Sequence, residues 1–443
     1  MESYFSAILV LKLTFEDTLL TRSNRRTAVF NNLLTKEISV VLILASSTTI
    51  VNIGFGMILP IYPKFLAQTL DKRKFVFGLT LASYAIGQLT FAPIVGYLAD
   101  SKNIKKLLII LSLLGYSLSN FLFPFFIYNY EIIIFIRFIQ GVTTAGIIPI
   151  SLALISDQTD IKNRTRYFGL ILGMSSMGWV IGPMIGSIFY EMGDYSLPFI
   201  IIALSSLISV IFIFFLLKTS NRSNVTKEEK AKGKFRKKNY FRKKNFSVSS
   251  ILLPGKTSIF LSLLLISFID YWAWALLGPG LPFYVFNILK VTTLEFGIFL
   301  GLYGAIIAIG QLFLGNVSDK FNKKNIIFLA GLFHFFGYVI LGFASTFTDL
   351  LFMAFVTGIG MALLVPAITS YLTEIAQVKY RSFVISLLIV GTQSAGILAP
   401  ILGGYLGMIF PMEVLIWIST LSLLSIPVIL LFGFQKTENP INT

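Results

Sequence analysis

GYLADSKNIKKLL (96–108) and GNVSDKFNKKNII (315–327) stand 219 residues apart and follow one pattern. In each, a glycine is followed four residues on by an aspartate, then by a turn and a pair of lysines. One such stretch is an ordinary polar connection, but two at a fixed offset point to a duplicated chain. The offset recurs: Pro60-x-x-Pro63 falls on Pro279-x-x-Pro282. Shifting 135–187 by 217 residues, with no gap, sets Gly141 on Gly358, Pro149 on Pro366, Asp157 on Glu374, Arg164 on Arg381, Pro183 on Pro400 and Gly186 on Gly403.

The halves that repeat belong in lipid. Of the 443 residues 56% are hydrophobic and 13% charged, against roughly 45–50% and about 25% in soluble domains. Apolar runs of the roughly 20 residues that a spanning helix needs predict twelve helices, near 38–66, 75–98, 106–128, 131–156, 166–189, 196–217, 258–287, 294–317, 325–345, 349–374, 382–407 and 412–433. With the first residue placed in the cytoplasm, 30 of the 36 basic residues fall in inner segments and five (Lys64, Lys72, Arg73, Lys74, Lys290) in outer ones. The positive-inside rule then sets both termini in the cytoplasm of a multi-pass cell-membrane protein. Arg137 is the one basic residue that no loop claims.

The organisation expected is a cytoplasmic segment 1–37, a six-helix bundle 38–217, a basic linker 218–257, a second bundle 258–433 and a tail 434–443. The charges at Glu16, Asp17, Arg22, Arg25 and Arg26 argue against a cleavable signal peptide. The linker, with thirteen basic residues against two acidic ones over 218–256, reads as disordered. It can contact anionic lipid head groups, and nucleic acid is not expected as a partner.

Composition also excludes chemistry. With no cysteine and one histidine there is no disulfide, no thiol nucleophile and no histidine-cluster metal site. Intramembrane catalysis wants His, Cys or paired carboxylates within reach, so an enzyme is not expected, nor is a cofactor.

The duplication serves as an internal control, because residues needed only for backbone shape should appear in both halves. Arg137, in IIIFIRFIQGVTTAG (132–146), faces Ala354; Asp270 faces Val51; Asn52 faces Tyr271. A guanidinium at membrane depth costs from about 3 to over 10 kcal/mol. Two readings of Arg137 stand: a long side chain snorkelling to the outer head groups, or a fixed cation in a central cavity. Asp270 is the one acidic residue well inside a predicted span, where a carboxylate can take up and release a proton; a structural ion pair is the alternative. Tyr271, Trp272 and Trp274 crowd the same span before the Pro279/Pro282 break, and suit either a cavity for flat or cationic compounds or a membrane-interface belt. Tyr84, Gln88, Gln140, Gln311 and Gln393 are further polar candidates for the cavity, with Asn52. His334 is read as a packed or interfacial histidine.

Along the fifth span Gly178, Gly182 and Gly186 recur every four residues beside Pro183, a small-residue face on which helices pack closely. Twelve spans, the basic central loop and the G-x-L-x-D loop resemble the major facilitator superfamily. GWVIGPMIG (178–186) and RFIQGVTTAG (137–146) are similar to motifs of its drug:proton antiporter branch, and GFGMILPIYP (54–63) to the branch's first-helix pattern. The resemblance implies an all-α fold of two pseudo-symmetric six-helix bundles, working as a monomer by alternating access. It further implies proton-coupled efflux of small organic or drug-like compounds, with Asp270 and Arg137 in proton coupling and Gly96, Asp100, Gly315 and Asp319 in gating loops. The Gly178–Gly186 face would restrict leakage. An uptake symporter or facilitator for a sugar or other metabolite is the alternative. Two departures stand out: Asn103 and Asn322 replace the glycine usual in the loop, with a left-handed turn expected to survive on asparagine, and the first span lacks an acidic residue.

Overall fold

The structure, a computed structural model, describes residues 36–69, 73–102, 104–158, 161–192, 195–217, 251–318, 322–377 and 381–435. Among them are twelve helices long and apolar enough to cross a membrane. The first six are α1 (Lys36–Thr69), α2 (Arg73–Lys102), α3 (Lys105–Leu122, extended by a 3-10 turn), α4 (Tyr130–Thr144, continued as Ile147–Gln158), α5 (Ile161–Glu191) and α6 (Leu197–Leu216). The second six are α7 (Thr257–Leu277, continued as Leu281–Asn287), α8 (Thr293–Ser318), α9 (Lys323–Phe343), α10 (Phe347–Ile375), α11 (Arg381–Ile409) and α12 (Met412–Leu423, continued as Ser425–Gln435). The fold is the all-α arrangement of two six-helix bundles. The segment before residue 36, most of the linker and the tail after 435 lie outside the described residues.

Local chemistry sets the ends and breaks. Asn129 caps α4 by accepting from the Ile132 N–H at 3.1 Å, and Thr346 with Asp349 forms a reciprocal capping box on α10. Asn322 departs from the expectation of a left-handed turn. Its backbone is extended (φ −61°, ψ 119°) and its side chain caps α9, accepting from the Lys324 N–H at 3.0 Å. Asparagine therefore serves here as a cap, not as a glycine surrogate; Asn103 lies outside the described residues.

The paired prolines act differently in the two halves. α1 runs unbroken through Pro60 and Pro63, whereas α7 stops at Leu277 and resumes at Leu281. Glycines flank Pro279 on both sides, while Leu59 and Ile61 flank Pro60. The lower helix propensity of glycine lets the proline-weakened ladder open in one copy only.

Each bundle has its own apolar core, around Leu44, Ile109 and Ile155 in the first and Leu263, Ala330 and Leu372 in the second. The end of the expected linker belongs to the second core. Ile251 and Leu252 are buried, and residues 251–253 pair with the end of α10 through Leu253 N–H to Ile375 O (2.8 Å) and Gln377 N–H to Ile251 O (3.1 Å). The apolar side chains of ILL (251–253) explain why this stretch folds.

The bundles meet at one end, that of Lys64. There the Lys74 ammonium donates to the Gly407 carbonyl (2.8 Å), Glu191 accepts from the Leu294 N–H (2.7 Å), and Lys64 sits 3.8 Å from the Phe286 ring centroid. Gly78 of α2 lies on the Pro400 carbonyl of α11, and Gly297 and Gly301 of α8 lie on Pro183, Ser187 and Met184 of α5. At the other end, among the described residues, a Cβ built on Gly96 of α2 or Gly173 of α5 meets nothing within 4 Å, and Tyr97 is 68% exposed. Among the described residues the bundles are in contact at the Lys64 end and stand apart at the end bearing Lys105 and Lys323.

Candidate functional site

Two adjoining cavities of about 340 and 290 Å³ lie between the bundles, near the lower end of the roughly 300–1,000 Å³ of ligand pockets. They share the walls Leu59, Trp179, Tyr271, Trp274 and Leu300. The first is lined by Asn52, Phe55, Tyr84 and Gln88 from one bundle and by Gln393 from the other. Gln393 donates to Gln88 Oε1 at 3.2 Å across the gap, and Asn52 donates to the Ser175 carbonyl at 2.8 Å. The second cavity is lined by Asp270, Tyr303, Gln311, His334, Tyr338 and Thr357.

Aromatic rings build the shared wall. Trp274 stacks on Tyr303 (centroids 5.2 Å, planes 25° apart), and Phe55 lies against both Trp179 (4.7 Å) and Tyr84 (4.8 Å). Such faces suit flat apolar rings and organic cations. Trp272 stacks on Phe268 and lines neither cavity.

Gln140, expected along the cavity, is fully buried inside the first bundle and lines neither cavity. Its carbonyl oxygen accepts from Arg137 Nη1 (2.9 Å), and its amide donates to Asn120 Oδ1 (3.3 Å). Arg137 is only 2% exposed, so it does not snorkel to the head groups. Nor does it line a cavity. The guanidinium carbon lies 5.0 Å from the Phe55 ring centroid and 4.7 Å from that of Tyr84. These two rings separate it from the first cavity. No carboxylate pairs with it among the described residues, and its Nε and Nη2 find no hydrogen-bond partner there.

Asp270 is not alone. It is 8% exposed on α7 and contacts His334 Nδ1 on α9, while His334 Nε2 faces the Thr357 carbonyl of α10 at 3.1 Å. The reading of His334 as a packing residue therefore falls short: the ring joins three helices at the cavity edge. Among the described residues, Arg137, Asp270 and His334 are the buried acidic and basic side chains.

The Gly178, Gly182 and Gly186 face packs within its own bundle. A Cβ at each would lie 2.6–2.8 Å from the Thr49, Ile53 and Met57 carbonyl oxygens of α1. The close approach between bundles along α5 instead uses Gly297 and Gly301 of α8. Gly96 and Asp100 lie in the last turns of α2, Gly315 lies near the end of α8, and Asp319 is outside the described residues.

Two six-helix bundles, joined at one end and parted at the other around a membrane-depth cavity, define an alternating-access transporter. The chain belongs to the Major Facilitator Superfamily, whose model matches it twice, over residues 44–264 and 263–442. It is 28% identical over 395 residues to a class H tetracycline resistance protein of Pasteurella multocida, covering 84% of this chain and 89% of that one. It is 26% identical over 382 residues to multidrug resistance protein 2 of Bacillus subtilis (strain 168), covering 84% and 90%. Among solved structures it is similar in fold to a bacterial homologue of the human lysosomal transporter Spinster in an inward-facing, unoccupied conformation. The TM-score is 0.69 at 16% identity, over 91% of this chain and 96% of that one.

Proposed function

We propose that the protein exports small organic, drug-like compounds in exchange for protons. The observation that carries this reading is the cavity itself, aromatic on its shared wall and edged by the buried carboxylate of Asp270. The names of the relatives, resistance proteins for tetracycline and for several drugs, agree with it. The excess of basic residues at the Lys105 and Lys323 end supports a cytoplasmic position for that end, so the open cavity would load from inside. A single chain supplies both bundles and hence a whole site, as a monomer. The basic residues of 218–256 would hold the linker against anionic lipid.

In the cycle proposed, Asp270 takes a proton when the cavity opens outward and gives it up when the cavity opens inward. Substrate then leaves outward while the proton enters. Arg137 tunes the exchange from within the first bundle. Efflux of a fluorescent cationic dye from proteoliposomes tests this: dissipating the pH gradient with an ionophore should stop it, and efflux that continues unchanged removes proton coupling from the account.

A further inference from the structure

We infer that the exchanged proton is held jointly by Asp270 and His334, and that losing it breaks a hydrogen bond across α7, α9 and α10 and leaves a site for an organic cation. This deepens the proton-exchange reading above and rests on it.

The geometry limits where hydrogens can be. A backbone carbonyl only accepts, so the 3.1 Å contact with Thr357 O requires a hydrogen on His334 Nε2. Nδ1, on the other side of the ring, meets Asp270 Oδ1. A bare Nδ1 facing an ionised carboxylate would set lone pair against lone pair. The contact therefore needs one more proton, on Nδ1 or on Oδ1, and with it the pair is neutral. When that proton passes to water in the cavity, the pair carries one negative charge. The ring then cannot serve both partners: either Asp270 separates from Nδ1, or the remaining hydrogen moves to Nδ1 and the Thr357 bond is lost.

Packing makes that loss consequential. A Cβ built on Gly360 of α10 would lie 3.0 Å from His334 Nε2, so the ring is wedged between α9 and α10 and cannot turn aside freely. The other titratable groups facing the pair are hydroxyls: Tyr271 on α7, Tyr303 on α8 and Tyr338 on α9; α5 and α10 add none to this cavity. Among the described lining residues no cation neutralises the deprotonated pair. A protonated amine or quaternary ammonium, bearing one positive charge and stacking on Trp274 and Tyr303, has the complementary chemistry.

The single histidine makes the test direct. With any purification tag removed, imidazole-labelled protein in lipid nanodiscs gives 15N signals from His334 alone. Binding of tetraphenylphosphonium is followed in the same samples from pH 5 to 9. The expected result is binding that strengthens about tenfold per pH unit below one midpoint, as a one-proton competition requires, with the His334 signals changing at that same midpoint. His334→Gln should move the midpoint by more than one unit while cation binding persists at high pH. Asp270→Asn should weaken binding at least tenfold and flatten its pH dependence. His334 signals that stay constant through the binding midpoint overturn the joint proton but leave Asp270 as sole carrier. Binding by the parent that is flat in pH overturns the proton-exchange reading as well.

Discussion

Gly78→Ala should shift the balance between the two arrangements of the bundles. Gly78 lies on α2 in the first bundle, and a Cβ there would run into the Pro400 carbonyl oxygen of α11 and lie 3.3 Å from Pro279 Cγ of α7. The obstacle is backbone, so it yields only if the bundles separate at the Lys64 end. Overpacking of this kind costs about 1–3 kcal/mol, at about 1.4 kcal/mol per factor of ten. The closed arrangement should therefore lose roughly 5- to 150-fold against one open at the Lys64 end, where α2 and α11 part. The gain of alanine over glycine in helix propensity acts on both arrangements and cancels. The chain contains no cysteine, so Met192→Cys with Ile288→Cys adds two unique spin-label sites at that end, one in each bundle. Both side chains are exposed. In lipid nanodiscs the label–label distance should gain a longer population in the Gly78→Ala background. An unchanged distance distribution, in protein of unchanged helix content, refutes the assignment of α2 and α11 as a closing seam.

The buried guanidinium of Arg137 balances no carboxylate among the described residues and leaves Nε and Nη2 unbonded there, so the cost of burying its charge outweighs the one bond it makes to Gln140. Arg137→Met should melt at or above the parent's temperature yet lose at least tenfold in dye efflux; a lower melting temperature with efflux intact contradicts this. Trp274→Ala removes the ring stacked on Tyr303, worth about 0.5–1.5 kcal/mol. Binding of a flat aromatic dye should weaken roughly 2- to 12-fold by equilibrium dialysis, and an unchanged affinity takes Trp274 out of the site. Gly278→Ala sits at φ −47°, ψ −46°, a helical backbone that alanine adopts, with its Cβ 3.3 Å from the Ala275 carbonyl oxygen, and should change stability by no more than about 1 kcal/mol. If the α7 break is a hinge, turnover falls while dye affinity holds; unchanged turnover rules the hinge out.

What the sequence made legible was what lipid imposes. The twelve spans follow from apolar length and the two bundles from the repeat, and neither needs side-chain detail. The polar candidates Asn52, Gln88, Gln311 and Gln393 stood out because polar groups at membrane depth are costly, and they line the cavities. Gln140 stood out for the same reason, yet its cost is met inside the bundle by Arg137 and Asn120. Burial alone does not say which way a side chain faces. His334 could have been found by the criterion that singled out Arg137 and Asp270. At the 219-residue offset it falls on Gly115, so backbone shape does not require it. Tyr303, by contrast, falls on Tyr84 at the same offset. Both line a cavity, and a repeated residue escapes a test built on differences. The seam glycines Gly297 and Gly301 carry a four-residue spacing like that of α5. Which face meets which neighbour is decided by the curvature of whole helices, which no local pattern contains.

The unlike charges of the two halves bear on coupling. The first bundle holds Arg137, a permanent cation shielded from the cavity by Phe55 and Tyr84. The second holds Asp270 and His334, neutral with the shared proton and singly negative without it. In the proposal above the pair beside the cavity is thus neutral when protonated and singly negative when deprotonated, while Arg137 adds a fixed positive charge within the other bundle. In a low-dielectric interior the difference is felt by an entering cation, which is opposed in the first state and tolerated in the second. Arg137 needs no contact with substrate or with Asp270 for this to operate. Its charge would set the zero from which the proton is counted, with the Phe55 and Tyr84 rings between it and the cavity. In the exchange proposed above, proton and cationic substrate would exclude one another by electrostatics as well as by occupancy, one half of the duplicated fold keeping a charge that the other lacks.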